Sequence, residues 1–168
     1  PTLDPDLFML RGGYPRLYAT GMPSNVFFNS YIDTYIERDV AGYLDVRNLT
    51  SFRTFLRLCA FNVGNLLNLS SLARDAGIDA RTAKSWLSML ESSYIVFRLM
   101  PYCENEGKRL VKSPKLYFYD TGLLCHLMGI RDVAQLRLST HLGAVFENLI
   151  VAETAKSHLC HAEDPRLF

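Results

Sequence analysis

The 168-residue sequence has no two cysteines close together, no internal repeat and no apolar run long enough to cross a bilayer. Cys59, Cys103, Cys125 and Cys160 are too far apart for a zinc knuckle or a disulfide framework, so we expect reduced, structural thiols. Histidines adjoin two of these cysteines, but adjacent residues rarely point at one metal ion, so we expect no metal site. No basic and apolar leader is present, which makes the cytoplasm the default setting and gives no membrane partner.

Two further features are small or missing. The formal net charge is only +1, so any contact with nucleic acid must come from a local excess of basic residues. A phosphate-binding loop of the form GxxxxGK followed by Ser or Thr is absent, because Gly107-Lys108 lacks both the upstream glycine and the hydroxyl residue. We therefore expect no ATP hydrolysis and no cofactor in this chain. Its hydrophobic content of 49% is ample for a packed core in one domain or two small ones.

The stretch from Leu69 to Lys115 is typical of a winged helix-turn-helix. Ser70 or Ser71 is expected to cap a first helix that Gly77 ends, and Asp79 to cap a second helix from Ala80 to about Ser92. The second helix has apolar residues at helical spacing, which predicts that these are buried: Ala83, Trp86, Leu87, Met89, Leu90 and Tyr94. Two β-rich runs follow, Ile95–Leu99 and Leu116–Tyr119, and predict the strands of a hairpin.

Basic and hydroxyl side chains on this segment are candidates for contact with DNA. The second helix carries Arg81, Lys84, Ser85 and Ser88 on its polar face, and the hairpin carries Lys108, Arg109, Lys112 and Lys115. Between Asp79 and Lys115 there are seven basic residues against four acidic ones. The alternative is structural, since any soluble helix has a polar face and a hairpin with lysines is an ordinary solvated edge. Many winged helices also bind only proteins, so the fold does not decide the function.

Helices are also expected on both sides of the winged segment, which gives a mainly α fold with a small β component. Before it, apolar spacing predicts helices over residues 31–40 and 51–63, while Leu10–Pro15 has the glycines and proline of a linker. After it, a short helix should end near Gly129, and a last one should run from about Gly143 to Ser157 with Val145, Phe146, Leu149, Ile150 and Ala152 buried. Asp120 is either a catalytic carboxylate or, as we prefer, the cap of the short helix.

Five motifs in order resemble the carboxy-terminal region of a widespread group of prokaryotic AAA-like P-loop ATPases. They are Gly12-Gly13-Tyr14-Pro15, Tyr35-Ile36-Glu37-Arg38-Asp39-Val40, the winged segment, the run from Gly107 to Leu123, and the run from Phe146 to Glu153. The resemblance implies a winged helix followed by a fold similar to restriction-endonuclease-like nucleases. It implies three segments: residues 1–48 as linker and helix after an absent ATPase module, 49–122 as the winged helix-turn-helix, and 123–168 as the helical start of a truncated nuclease-like domain.

The resemblance also implies that both catalytic modules are missing. ATP and Mg²⁺ would belong to the absent ATPase module, and the family's nuclease carboxylates would lie beyond Phe168. Glu147 matches the acidic residue of the first nuclease helix, but one carboxylate is not a metal site. Without the following strands, we expect the last helix to have an exposed apolar face, which either swaps onto another copy or packs back irregularly.

Three functions are then open. The chain is a module that binds double-stranded DNA and positions the ATPase or nuclease, or an interaction scaffold that packs its own ATPase module against the nuclease-like one, or a residual enzyme built on Glu147, Asp120 and a histidine. The third has the least support, because the sequence offers no close pairing of acid and base.

Overall fold

The computed structural model describes residues 4–36, 49–102 and 112–161. Its helices are α1 (Pro5–Arg11), α2 (Pro15–Thr20), α3 (Ser24–Tyr31), which continues as a π-helical turn (Ile32–Ile36), α4 (Leu49–Phe61), α5 (Leu69–Asp75), α6 (Ala80–Ser92), α7 (Thr121–Met128), α8 (Val133–Leu138) and α9 (Leu142–Cys160). Strands β1 (Val96–Leu99) and β2 (Lys115–Phe118) form a two-stranded antiparallel sheet. The fold is therefore mainly α with a small β component, as the sequence predicts.

The amino-terminal residues fold against the rest of the chain, which corrects the expectation of a linker at Leu10–Pro15. Asp4 caps α1, where it accepts a hydrogen bond from the Asp6 amide, and α1 packs against α7. The Gly13 amide then donates to the carboxylate of Asp120, 2.7 Å away. Tyr14 packs its ring on Phe27 and Tyr31. The glycines serve a close approach between distant segments, and local composition cannot distinguish that need from flexibility.

Helices α5 and α6 have nearly the boundaries that the sequence predicts. The cap of α5 is Asn68, whose side chain accepts from the Ser71 amide, and not Ser70 or Ser71. Gly77 ends α5 in a left-handed conformation, with φ +69°, and the Ile78 amide reaches back to the Ala73 carbonyl. Asp79 caps α6 as expected and accepts from the Thr82 amide.

The hairpin pairs Val96 with Phe118 and Leu99 with Lys115. An isolated antiparallel bridge between Leu66 and Lys115 adds a short third segment beside β2. The chain order is therefore α4, this bridge, α5, α6 and then the two strands. The predicted strands are confirmed, while the predicted helix over residues 31–40 is described only to Ile36.

The carboxy-terminal helices pack on the hairpin and on α1. Asp120 caps α7 and Gly129 ends it with φ +80°, as predicted. Helix α9 runs to Cys160, longer than expected, and buries Val145, Leu149 and Ala152. Phe146 and Ile150, which we expected to be buried, are about half exposed, at 48% and 52%.

One hydrophobic core joins all three segments that the sequence distinguishes. It extends from Met9 and Phe28 through α4 and α6 to Leu149. Trp86 lies near its centre, with its ring edge-on to Phe52 and Phe55 at 5.3 and 5.6 Å between centroids. Because this buried indole belongs to α6, its packing in the core fixes the rotation of helix α6 about the helix axis.

Candidate nucleic-acid interface

The polar face of α6 points away from the core. Ala83, Trp86, Leu87 and Leu90 are buried on one side of the helix. The four candidates on this helix, Arg81, Lys84, Ser85 and Ser88, are all exposed. Tyr94, expected to be buried with the apolar side, is instead 68% exposed just after the helix ends.

The two basic side chains of this face differ in their pairing from the nearby Arg98. The side chains of Arg81 and Lys84 make no hydrogen bond or ion pair within the residues that the structure describes. Arg98, on the neighbouring strand β1, is different, because its guanidinium binds the carboxylate of Glu91 through two contacts of 2.6 and 2.9 Å. This bidentate pair cancels one of the charges counted in the local basic excess.

The four hairpin candidates do not form one group. Lys112 is exposed, and Lys108 and Arg109 lie outside the described residues. The Lys115 ammonium lies 2.9 Å from the carboxylate of Glu147 on α9. The hydroxyl of Tyr117 donates to the same carboxylate at 2.5 Å and, together with Lys115, lowers the pKa of Glu147. The charge of Lys115 is thus largely neutralised by Glu147 within the protein.

The sequence analysis does not predict a role for Asn148, which follows Glu147 on α9. Its side chain is fully buried, accepts from the Phe118 amide at 2.7 Å and donates to the Phe118 carbonyl at 3.0 Å. In the sequence it is an amide on a helix whose residues one turn before and one turn after it are apolar. A buried amide at such a position needs a hydrogen-bond partner. Together, Glu147 and Asn148 fix β2, and with it the hairpin, relative to the carboxy-terminal helices.

Asp120 lies in a different place from Glu147 and has different partners. Its carboxylate is buried and accepts from the amides of Gly13 and Leu123, at 2.7 and 2.8 Å. Burial raises its pKa, and these amides and Lys156 oppose the shift. The structure therefore places the two carboxylates in separate hydrogen-bond networks. Among the described residues, no group of three or more His, Cys, Asp or Glu side chains is arranged to hold a metal ion.

The chain matches a family model described as "Domain of unknown function (DUF8612)" over residues 4–134. The chain belongs to this family. Uncharacterized proteins of Mycobacterium bovis and Mycobacterium tuberculosis are each 35% identical over 153 residues, which are 89% of this chain and 34% of the relative. An uncharacterized protein of Haemophilus influenzae is 24% identical over 125 residues, 70% of this chain and 31% of the relative. This chain thus spans about a third of the length of these relatives. No solved structure matches.

The DUF8612 match includes the polar face of α6, both strands and Asp120, and it ends before Glu147 and Asn148. The descriptions of the mycobacterial relatives name no activity. No helix in the described part of the chain is long and apolar enough to cross a membrane.

Proposed function

We propose that this chain is a winged-helix module that binds double-stranded DNA and positions a larger cytoplasmic AAA-like ATPase, without catalysis or a cofactor of its own. One observation carries the proposal: α6 presents Arg81, Lys84, Ser85 and Ser88 outward, with both basic groups unpaired within the described residues. The order of helices, bridge and hairpin supports it, because a winged helix uses the same order and inserts its third helix into the major groove.

The charge distribution predicts weak binding with a moderate dependence on salt. Arg98 and Lys115 are already paired with Glu91 and Glu147. In the described residues this leaves Arg81, Lys84 and Lys112 for phosphates. Each phosphate contact contributes a slope of about −0.9 to a plot of log K against log salt concentration. We therefore expect a much smaller slope than that of a repressor with many phosphate contacts.

A duplex-binding titration at two salt concentrations tests the proposal. The chain is titrated into a short fluorescent duplex, and the anisotropy is followed for the unaltered chain, for an Arg81→Ala/Lys84→Ala variant and for an Arg16→Ala control. Arg16 is exposed on α2, outside the proposed winged helix. We expect the double variant to bind at least tenfold more weakly and to lose about two units of salt slope, while the control is unchanged. Unchanged anisotropy of the duplex at low salt would refute DNA binding.

A protein-interaction scaffold is the second candidate, and the surface of α9 favours it. Phe146 and Ile150, one turn apart on the same face of α9, are 48% and 52% exposed and form an exposed apolar patch. In this alternative the exposed faces of α6 and α9 dock onto the protein's own ATPase module, or α9 associates with a second copy. Lysine labelling distinguishes DNA binding through α6 from protein docking through α6. If α6 is a docking surface, Lys84 should be protected from labelling in the full-length protein without DNA. Free reactivity of Lys84 there would exclude that role.

A further inference from the structure

A small cavity on a different part of the surface is lined by three arginines. It has a volume of about 260 Å³ and lies between α3 with its π-helical turn, α4 and α7. Arg53 and Arg57 come from α4, and Arg131 follows α7. Leu56 and Leu127, both buried, line its apolar part. A volume just below the usual range for organic ligands suits a small anion better than an extended molecule.

The guanidinium of Arg131 is held in place by a buried histidine. His126 is 7% exposed, and its Nδ1 lies 2.6 Å from the nearer terminal nitrogen of Arg131. Because a guanidinium can only donate, this Nδ1 must be the acceptor, and the proton of the ring is then on Nε2. That nitrogen donates to Oδ1 of Asn29 at 3.1 Å. The hydrogen bonds from Asn29 through His126 to Arg131 hold one terminal nitrogen of the guanidinium, and its other donors have no partner within the described residues.

Within the described residues, the other charges around the cavity leave it positive. Asp33 is the acidic residue among the lining side chains, and it pairs with Arg53 at 3.0 Å. Arg57 is exposed, and its side chain makes no hydrogen bond or ion pair within the residues that the structure describes. The neutral His126 adds no charge. Within the described residues, two guanidinium groups thus remain uncompensated at one small cavity with an apolar floor, where each can donate charge-assisted hydrogen bonds to an anion.

We propose that this cavity binds a phosphate group, with Arg57 and Arg131 as its ligands and His126 as the residue that positions Arg131. The planar fork of a guanidinium matches two oxygens of a phosphate, and a tetrahedral anion can accept from two such forks at once. The site shares no residue with the polar face of α6, so it is independent of the proposed DNA contact. A free phosphate ion and the phosphate of a small monoester present the same chemistry to it.

Binding of two probes to the chain in phosphate-free buffer tests the site. Inorganic phosphate and a nucleoside monophosphate are titrated into ¹⁵N-labelled protein, with the unphosphorylated nucleoside as a negative probe. We expect saturable shifts around Arg57, Gly129 and Arg131 at millimolar concentrations or below. Similar affinity for both probes identifies a free anion as the ligand, and tighter binding of the ester identifies a monophosphate.

Two variants and one control decide whether the cavity is responsible. Arg57→Gln and Arg131→Gln should each weaken binding about tenfold or more, the loss expected for a charged hydrogen bond. Arg57→Gln is the cleaner variant, because this exposed side chain has no hydrogen bond or ion pair within the described residues whose loss would disturb folding. Arg16→Gln, which removes the same charge from α2, should leave the affinity unchanged. Absence of saturation, equal weakening in the control, or equal binding of the bare nucleoside would overturn the proposal.

Discussion

The side-chain amide of Asn148 takes the place of a neighbouring strand for Phe118. Along the edge of β2 that faces away from β1, the Pro114 carbonyl accepts from the Leu67 amide and the Leu116 carbonyl from the Gly64 amide. Beyond this point the neighbouring segment has turned away, and Asn148 satisfies both the amide and the carbonyl of Phe118. A helix residue therefore completes a sheet edge that would otherwise leave two backbone groups buried without partners.

Asn148→Ala should lower the free energy of unfolding by about 2–4 kcal/mol. The substitution removes two hydrogen bonds and leaves buried backbone groups unsatisfied, which costs more than the net value of the bonds themselves. Urea denaturation followed by circular dichroism measures the loss. The control is Asn25→Ala, at an exposed position on α3 whose side chain makes no hydrogen bond within the described part of the chain. Equal stability of the two variants would show that solvent replaces Asn148 at the strand.

Gly12→Ala should be far more damaging than the same change at Gly143. Gly12 has φ +76°, and a Cβ there would overlap the Asp120 carboxylate, with Oδ2 only 2.6 Å away. We expect a loss of about 3 kcal/mol or more from backbone strain and overlap together. A Cβ on Gly143, in the first turn of α9, meets nothing within 4 Å, so that variant should be neutral or slightly more stable. Thermal unfolding of both proteins checks the contrast, and similar melting temperatures would contradict it.

Local patterns in the sequence predict the helix-turn-helix accurately. Asp79 and Gly77 act on amides and carbonyls within one helical turn, so their roles depend only on near neighbours. The apolar stripe of α6 likewise follows from helical spacing, with Tyr94 as the exception because the chain leaves the helix before it. The polar face with Arg81 and Lys84 is the complement of that stripe and could be predicted with it.

Contacts between distant segments are what the sequence could not supply. Gly13 and Asp120 are 107 residues apart, and only the folded chain shows that the glycine lies there for a carboxylate. The sequence predicts Lys115 to be a solvent-exposed lysine of the wing, because its partner Glu147 comes 32 residues later in the chain. Arg57 and Arg131 of the proposed phosphate site also belong to segments that are far apart in the chain. Spacing along one helix carries no information about which helices meet.

Replacement of Tyr94 should separate backbone strain from ring packing. Tyr94 is the non-glycine residue with positive φ in the described chain, at +54°, and it occupies the position after α6 where glycine is usual. Its ring contacts Tyr119, 5.7 Å between centroids. Tyr94→Gly loses the ring and relieves the strain, whereas Tyr94→Ala loses the ring and keeps the strain. We expect the glycine variant to be more stable than the alanine variant by about 1 kcal/mol, measured by urea denaturation. Equal stabilities would mean that the left-handed conformation costs nothing here.

The ionisation of His126 should make the protein less stable in mild acid. Burial, with the nearby charge of Arg131, lowers the pKa of His126 from its usual value near 6.5 to about 4. Between these two values the unfolded chain binds a proton that the folded chain does not, so the free energy of unfolding falls as the pH falls. This contribution is limited to about 1.4 kcal/mol per pH unit, and it stops growing below about pH 4.

Comparing denaturation curves of the unaltered chain and a His126→Gln variant across this window isolates the histidine from the carboxylates that titrate in the same range. The variant should be less stable near neutral pH, because the glutamine amide lacks the ring that places an acceptor toward Arg131 and a donor toward Asn29, but its stability should fall less steeply as the pH is lowered. A ring of His126 that titrates near its usual pKa in an NMR experiment would contradict the buried, neutral state, and with it the positioning of Arg131.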